Sequence, residues 1–191
     1  MKKTALEQNG NRRGKAVHSA KECTYLAVFV ALVIALQTVF SALPGVELVT
    51  VMFVAYSFVM GAKRGMLAAI AFSLLRQFIF GIYPKVLVLY LVYFPLLALA
   101  FGLLGGRIKH PVKGLVWIVL AACLGTVFFT LFDNILTPLW LGYNARDARL
   151  YFTASLPILF PQTACTAVSV ATLFLPLHKV FSIIKNRRLG G

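Results

Sequence analysis

From residue 23 onward the chain alternates long apolar runs with short polar interruptions, and the runs set the expected elements. Apolar stretches fall at about 23–42, 47–62, 65–82, 86–105, 114–140 and 152–177. Each reaches or approaches the roughly 20 residues that a helix needs to cross a hydrocarbon core of about 30 Å. The second and third are the shortest and meet at the tight turn GAKRG, residues 61–65. These runs are apolar all round, unlike the alternating short strands of a membrane β-barrel. The pattern predicts an all-α polytopic membrane protein with six transmembrane helices.

The interruptions divide the chain further. Residues 1–22 are polar and basic without periodicity and read as a disordered tail. Residues 23–185 form one membrane domain with no linker or internal repeat, and 186–191 a second short tail. The length and polarity of residues 1–22 are wrong for a cleaved signal, so the first span is expected to be retained. Connections are short apart from 106–113 and 141–151. The latter, within LGYNARDARLYF, is long enough to act as a lid and is flanked by Trp140, Tyr143 and Tyr151, side chains typical of a headgroup interface.

Composition agrees: 60% of residues are hydrophobic, 13% are charged, and the mean hydropathy is +0.87. A soluble domain carries about 25% charged residues. The net charge of +14 would suit nucleic acid, but its distribution argues against that partner. Fifteen of the 19 Lys and Arg lie before the first span, in the second and fourth connections, or after the sixth span. The other connections hold Lys85, Arg146 and Arg149. Such asymmetry predicts cytoplasmic termini, with the basic side meeting anionic lipid. Cys23, Cys123 and Cys165 are too scattered for a disulfide framework or a metal site, and His18, His110 and His178 fall near span ends. No metal or cofactor is expected.

Candidate chemistry concentrates in the half of the bundle away from the basic side. Glu47, Arg76 and Asp133 are ionisable residues inside or at the edge of apolar runs, a costly placement that marks function or a structural pair. At a rise of about 1.5 Å per residue, Arg76 lies about 9 Å and Asp133 roughly 10 Å below the outer ends of their spans. Pro44 and Gly45 end the first span, so Glu47 opens the second at the outer surface, where it could also face a helix N-terminus. Thr126, Thr130, Asp133, Asn134 and Thr137 share one face of the fifth helix, and Gln162, Thr166 and Ser169 one face of the sixth. Tyr83, Tyr90 and Tyr93 add aromatic walls, giving the mixed lining of a small-molecule site. Such polar groups also serve simply to join helices. The chain has no G-x-x-x-x-G-K-[ST], HExxH or G-x-S-x-G motif, so no ATPase or hydrolase chemistry is expected of it.

Ala27, Ala31 and Ala35 recur every four residues on the first helix, a small-residue seam that lets another helix approach closely. With this seam, the basic N-terminal segment and the run LPGVELVTVMFVAYSFVMGAKRG (43–65), the chain resembles the substrate-binding S components of energy-coupling factor (ECF) transporters over residues 23–180. That resemblance implies a non-enzymatic importer subunit that captures a vitamin or similar micronutrient from outside. It also implies partners: a membrane coupling subunit, meeting Ala27, Ala31 and Ala35, and two cytoplasmic ATPases. Glu47, Arg76, Asp133, Asn134 and Gln162 would then be polar anchors, with Tyr83, Tyr90 and Tyr93 stacking on the ligand. A ligand-free membrane scaffold, in which Arg76 and Asp133 pair with each other, is the alternative.

Glu47→Gln, with stability and ligand retention measured separately, distinguishes two roles. Loss of retention at unchanged melting temperature is expected if Glu47 touches ligand, and loss of stability alone if it only faces a helix end.

Overall fold

The computed structural model describes the backbone of residues 2–41, 48–108 and 110–189, with side chains over 20–41, 48–108 and 110–187. It is helical throughout: α1 (Lys2–Phe40), α2 (Leu48–Met60), α3 (Ala62–Phe80), α4 (Pro84–Arg107), α5 (Leu115–Leu141) and α6 (Ala145–Leu189). Among the described residues four stretches are long and apolar enough to cross a membrane: Ala20–Phe40, Pro84–Arg107, Leu115–Leu141 and Ala145–Arg187. Six helices therefore form where six spans were expected, but α2 has only 13 residues. Helix α3 is long enough, yet Lys63, Arg64, Arg76 and Gln77 dilute its apolar character.

Two expectations about irregular segments change. Helix α1 begins at Lys2, so residues 2–22, read from the sequence as a disordered tail, continue the first helix as backbone. The expected outer lid over 141–151 shrinks to a connection of three residues between α5 and α6. Gly142 caps α5 in the left-handed conformation at φ 65°. Asn144 Oδ1 then accepts from the amides of Arg146 (3.0 Å) and Asp147 (2.9 Å), an N-cap that starts α6 early.

Helix α2 is the centre of the bundle. Every residue from Thr50 to Met60 is buried, and α2 touches all five other helices. A helix apolar on all sides has to be covered on all sides. Phe53 is fully buried, with Phe94, Phe72 and Phe29 rings at 5.1, 5.3 and 5.5 Å, and Phe29 stacks on Tyr56 at 3.9 Å. The last turn of α2 is held by Lys185, whose Nζ donates to the Val59 carbonyl at 2.7 Å.

A one-residue link, Gly61 with φ 89°, turns α2 directly into α3. That backbone conformation is one that L side chains rarely adopt. Helix α4 packs against this turn through two glycines: a Cβ on Gly102 would collide with the Ala62 backbone, and one on Gly105 with the Phe58 carbonyl.

Contacts at both ends set the directions of the helices. Arg64 pairs with Glu22 at 2.6 Å near one end and Arg76 bonds Gln37 at 2.9 Å toward the other, so α1 and α3 run parallel. Phe53 meets Phe94 and Phe58 abuts Gly105, so α2 and α4 are parallel too. The buried stripe of α3 is small or polar (Gly65, Ala68, Ala69, Ser73, Gln77) apart from Phe72, whereas Leu67, Leu74, Leu75, Phe78 and Ile79 are exposed. Large apolar side chains facing outward over close-packed small ones are what a lipid-solvated bundle requires.

Gly105→Ala is expected to destabilise the fold by about 1–3 kcal/mol through overpacking against backbone. Gly106→Ala, one residue on in open space, should be neutral or slightly stabilising. Thermal unfolding of both variants in the same detergent checks the contrast.

Candidate functional site

Helices α5 and α6 bury polar faces against each other. On α5 the buried positions are Ile118, Ala122, Thr126, Thr130, Asn134 and Thr137, one stripe that turns polar toward its C-terminal end. Thr126 Oγ1 and Thr166 Oγ1 lie 3.0 Å apart. Thr130 Oγ1 donates to Gln162 Oε1 at 3.5 Å, and Asn134 Nδ2 to Ser155 Oγ at 2.7 Å. The hydroxyls of Thr126, Thr130 and Thr166 also bond carbonyls four residues back, the usual local option for threonine in an apolar helix.

At the end of this seam Asp133 collects three donors from three helices. Lys85 Nζ, from the first turn of α4, lies 3.0 Å from Oδ1 and 2.8 Å from Thr137 Oγ1. Thr137 Oγ1 donates to Oδ1 at 3.0 Å, and the Tyr151 hydroxyl, from α6, to Oδ2 at 2.7 Å. Asp133 thus pairs with Lys85 and not with Arg76, which corrects the pairing expected of the scaffold alternative. The reason is placement: Arg76 on α3 reaches α1 and α4, and no α3–α5 packing exists among the described residues.

Beside this cluster a cavity of about 210 Å³ opens between α5 and α6. Asp133, Asn134, Tyr151, Ser155 and Gln162 supply its polar lining, and Phe129 and Ile158 its apolar walls. Three of the residues singled out from the sequence, Asp133, Asn134 and Gln162, meet here. The others go elsewhere.

Arg76 forms a second cluster. Its Nε donates to Gln37 Oε1 at 2.9 Å, and Gln37 Nε2 donates to the Tyr90 hydroxyl at 3.3 Å. The guanidinium carbon lies 4.4 Å from the Tyr90 ring centre and 4.6 Å from that of Phe80, a cation–π sandwich in place of a carboxylate. Tyr90 and Tyr93 both contact Phe129, at 6.0 and 4.7 Å, and so stand between the two clusters. Tyr83 is 61% exposed and lines neither; its amide donates to Gln77 Oε1 at 3.3 Å. Glu47 lies outside the described residues.

Ala27, Ala31 and Ala35 are all exposed and line an apolar groove of about 740 Å³ between α1 and α3, with Leu75, Phe78 and Ile79 opposite. The small side chains leave space that no other described helix fills.

Sequence reasoning missed Lys85, Gln37 and Ser155 as partners. Lys85 was findable, because an acid embedded in an apolar helix needs a cation and few sit at that end of the bundle. Gln37 is the one amide in an otherwise apolar stretch, VFVALVIALQTVF. Nothing in the local sequence marks Ser155. Against protein-family models, curated proteins and solved structures, the chain has no match.

The Lys85 and Asp133 side chains are 24% and 25% exposed, between the surface and fully buried cases. Lys85→Met is expected to cost about 1–3 kcal/mol by stranding the carboxylate. Adding Asp133→Asn should recover part of that loss, and a double-mutant cycle of thermal unfolding measures the coupling.

Proposed function

We propose that the protein is the substrate-binding subunit of an ECF-type importer, crossing the cell membrane six times with both termini in the cytoplasm. The observation that carries this reading is a half-open cavity with Asn134, Gln162 and the Asp133 cluster in its lining, in a bundle whose outer surface is apolar. A helical seam that served packing alone would be filled. Here polar groups line part of an open space.

Two further features support the division of labour that the resemblance implies. The groove over Ala27, Ala31 and Ala35 has the shape for a partner helix, which a coupling subunit would supply. Lys63, Arg64, Arg107 and Lys185 gather at the end of the bundle opposite Lys85, Arg146 and Arg149. By the positive-inside rule that end is cytoplasmic, where two ATPases would dock, and the cavity opens toward the outer half. The short α2 crosses because its neighbours, not lipid, surround it.

The ligand-free scaffold has one observation in its favour: Lys85 and Asp133 satisfy each other without any ligand. The readings part at the alanine groove and at the partners.

Expression with a complete ECF module and purification through this chain should bring down the coupling subunit and both ATPases. Ala31→Leu fills the groove and is expected to reduce their recovery about tenfold or more, the equivalent of roughly 1.4 kcal/mol. If the ATPases never accompany the chain and Ala31→Leu leaves uptake unchanged, the importer assignment fails.

A further inference from the structure

The contacts around the α5–α6 cavity constrain the chemistry of what it holds. The rungs Thr126–Thr166 and Thr130–Gln162 step by four residues on both helices. Continued by one step, that register sets Ile158 opposite Asn134, and Ile158 has no polar atom to offer. Asn134 reaches past it to Ser155, a further turn along α6.

This detour fixes which way the Asn134 amide is turned. The Ser155 hydroxyl gives its proton to the Phe152 carbonyl at 2.7 Å, so toward Asn134 it can only accept. The amide nitrogen must therefore face Ser155, and Oδ1 is left over. Asn134 is 8% exposed, it lines the cavity, and its Oδ1 is buried with no partner. A buried acceptor without a donor costs about 1–3 kcal/mol. Turning the amide about its broad terminal torsion brings Oδ1 toward the cavity as Nδ2 leaves Ser155, so a donor on an occupant takes the place of that bond.

The electrostatics are equally specific. Asp133 is the charged group in the described lining, and it is matched by Lys85 with Thr137 and Tyr151 completing its hydrogen bonds. An anion entering would meet that carboxylate without a free cation. A cation would have to compete with an ammonium already in place. Either ion would also lose its hydration.

We propose that this cavity takes an uncharged, flat ligand group that donates a hydrogen bond to Asn134 Oδ1 while lying against Phe129: a primary amide, a ring N–H or a hydroxyl on an aromatic ring. The proposal rests on the reading of the cavity as a substrate site and narrows the substrate class.

Four probes of nearly equal size separate the possibilities on the purified full chain in lipid nanodiscs, by ligand-observed NMR titration. Benzamide is neutral with a donor, acetophenone is neutral without one, benzoate is the anion and benzamidine the cation. Benzamide is expected to bind at least about tenfold more tightly than each of the others, the scale of one hydrogen bond or one uncompensated charge. Asn134→Leu should abolish that preference. Binding of either ion or of acetophenone within about tenfold of benzamide, or no binding of benzamide, overturns the proposal. Because wild-type selectivity is read directly, an Asn134→Leu chain that fails to fold leaves the test intact. The chain is probed without partners, so absence of co-purifying ATPases does not bear on this result. Preference for benzoate would overturn the neutral ligand class while leaving the importer reading standing.

Discussion

The arrangement depends on a helix that has no face for lipid. Thirteen residues at a rise of about 1.5 Å make α2 about 20 Å long, short of the roughly 30 Å hydrocarbon core. It is apolar around its circumference and buried from Thr50 to Met60, with protein and not lipid on every side. The other five helices provide that cover, and their positions follow. Helix α4 comes close enough only because Gly102 and Gly105 lack side chains where they meet the α2–α3 turn. Helix α6 is drawn onto the end of α2 by the bond from Lys185 to the Val59 carbonyl. With α2 taking the centre, the polar faces of α5 and α6 meet each other away from that core, and the cavity lies between them.

Lipid enforces a second rule, that polar groups inside the bundle find partners within the protein. The two deeply placed charges obey it in different ways. Asp133 is answered by a full ion pair, and its partner comes from the start of α4, a helix that packs against α5. Arg76 is answered by an amide and two aromatic faces. The first arrangement is electrically closed. The second leaves a cation that faces ring quadrupoles and, among the described residues, no carboxylate, and Tyr90, Tyr93 and Phe129 form the wall between the two. The residues that looked from the sequence like one site are two environments of different charge.

How much of this was legible follows from which signals are local. The helices themselves were, because apolar runs and glycine turns are read residue by residue; GAKRG became the Gly61 link. The inward stripe Thr126–Thr130–Asn134–Thr137 was legible for the same reason, being a periodicity within one helix. The partners of Asp133 and Arg76 were not, since they depend on which helices are neighbours, and span order alone does not specify that. The early start of α6 was hidden by its polar first turns: ARDARLYF reads as a loop by hydropathy, while the Asn144 cap makes it helix. Length is informative for α2 as well: at 13 residues it is not among the four stretches long and apolar enough to cross a membrane.

Two prolines of α6 stand beside the cavity. Pro157 and Pro161 carry no amide proton, so the carbonyls four residues earlier, at Thr153 and Pro157, lose their helical donors. Both prolines lie within the stretch from Ser155 to Gln162 that lines the cavity. On the side of the seam nearer the middle of the bundle, Thr126–Thr166 and Thr130–Gln162 keep a regular step. On the proline side the step fails, Asn134 bonds Ser155 instead of a residue opposite, and Ile158 faces open space. Opposite Ile158, which has no polar atom, Asn134 turns its amide nitrogen to Ser155 and keeps an oxygen that no neighbour on α6 meets.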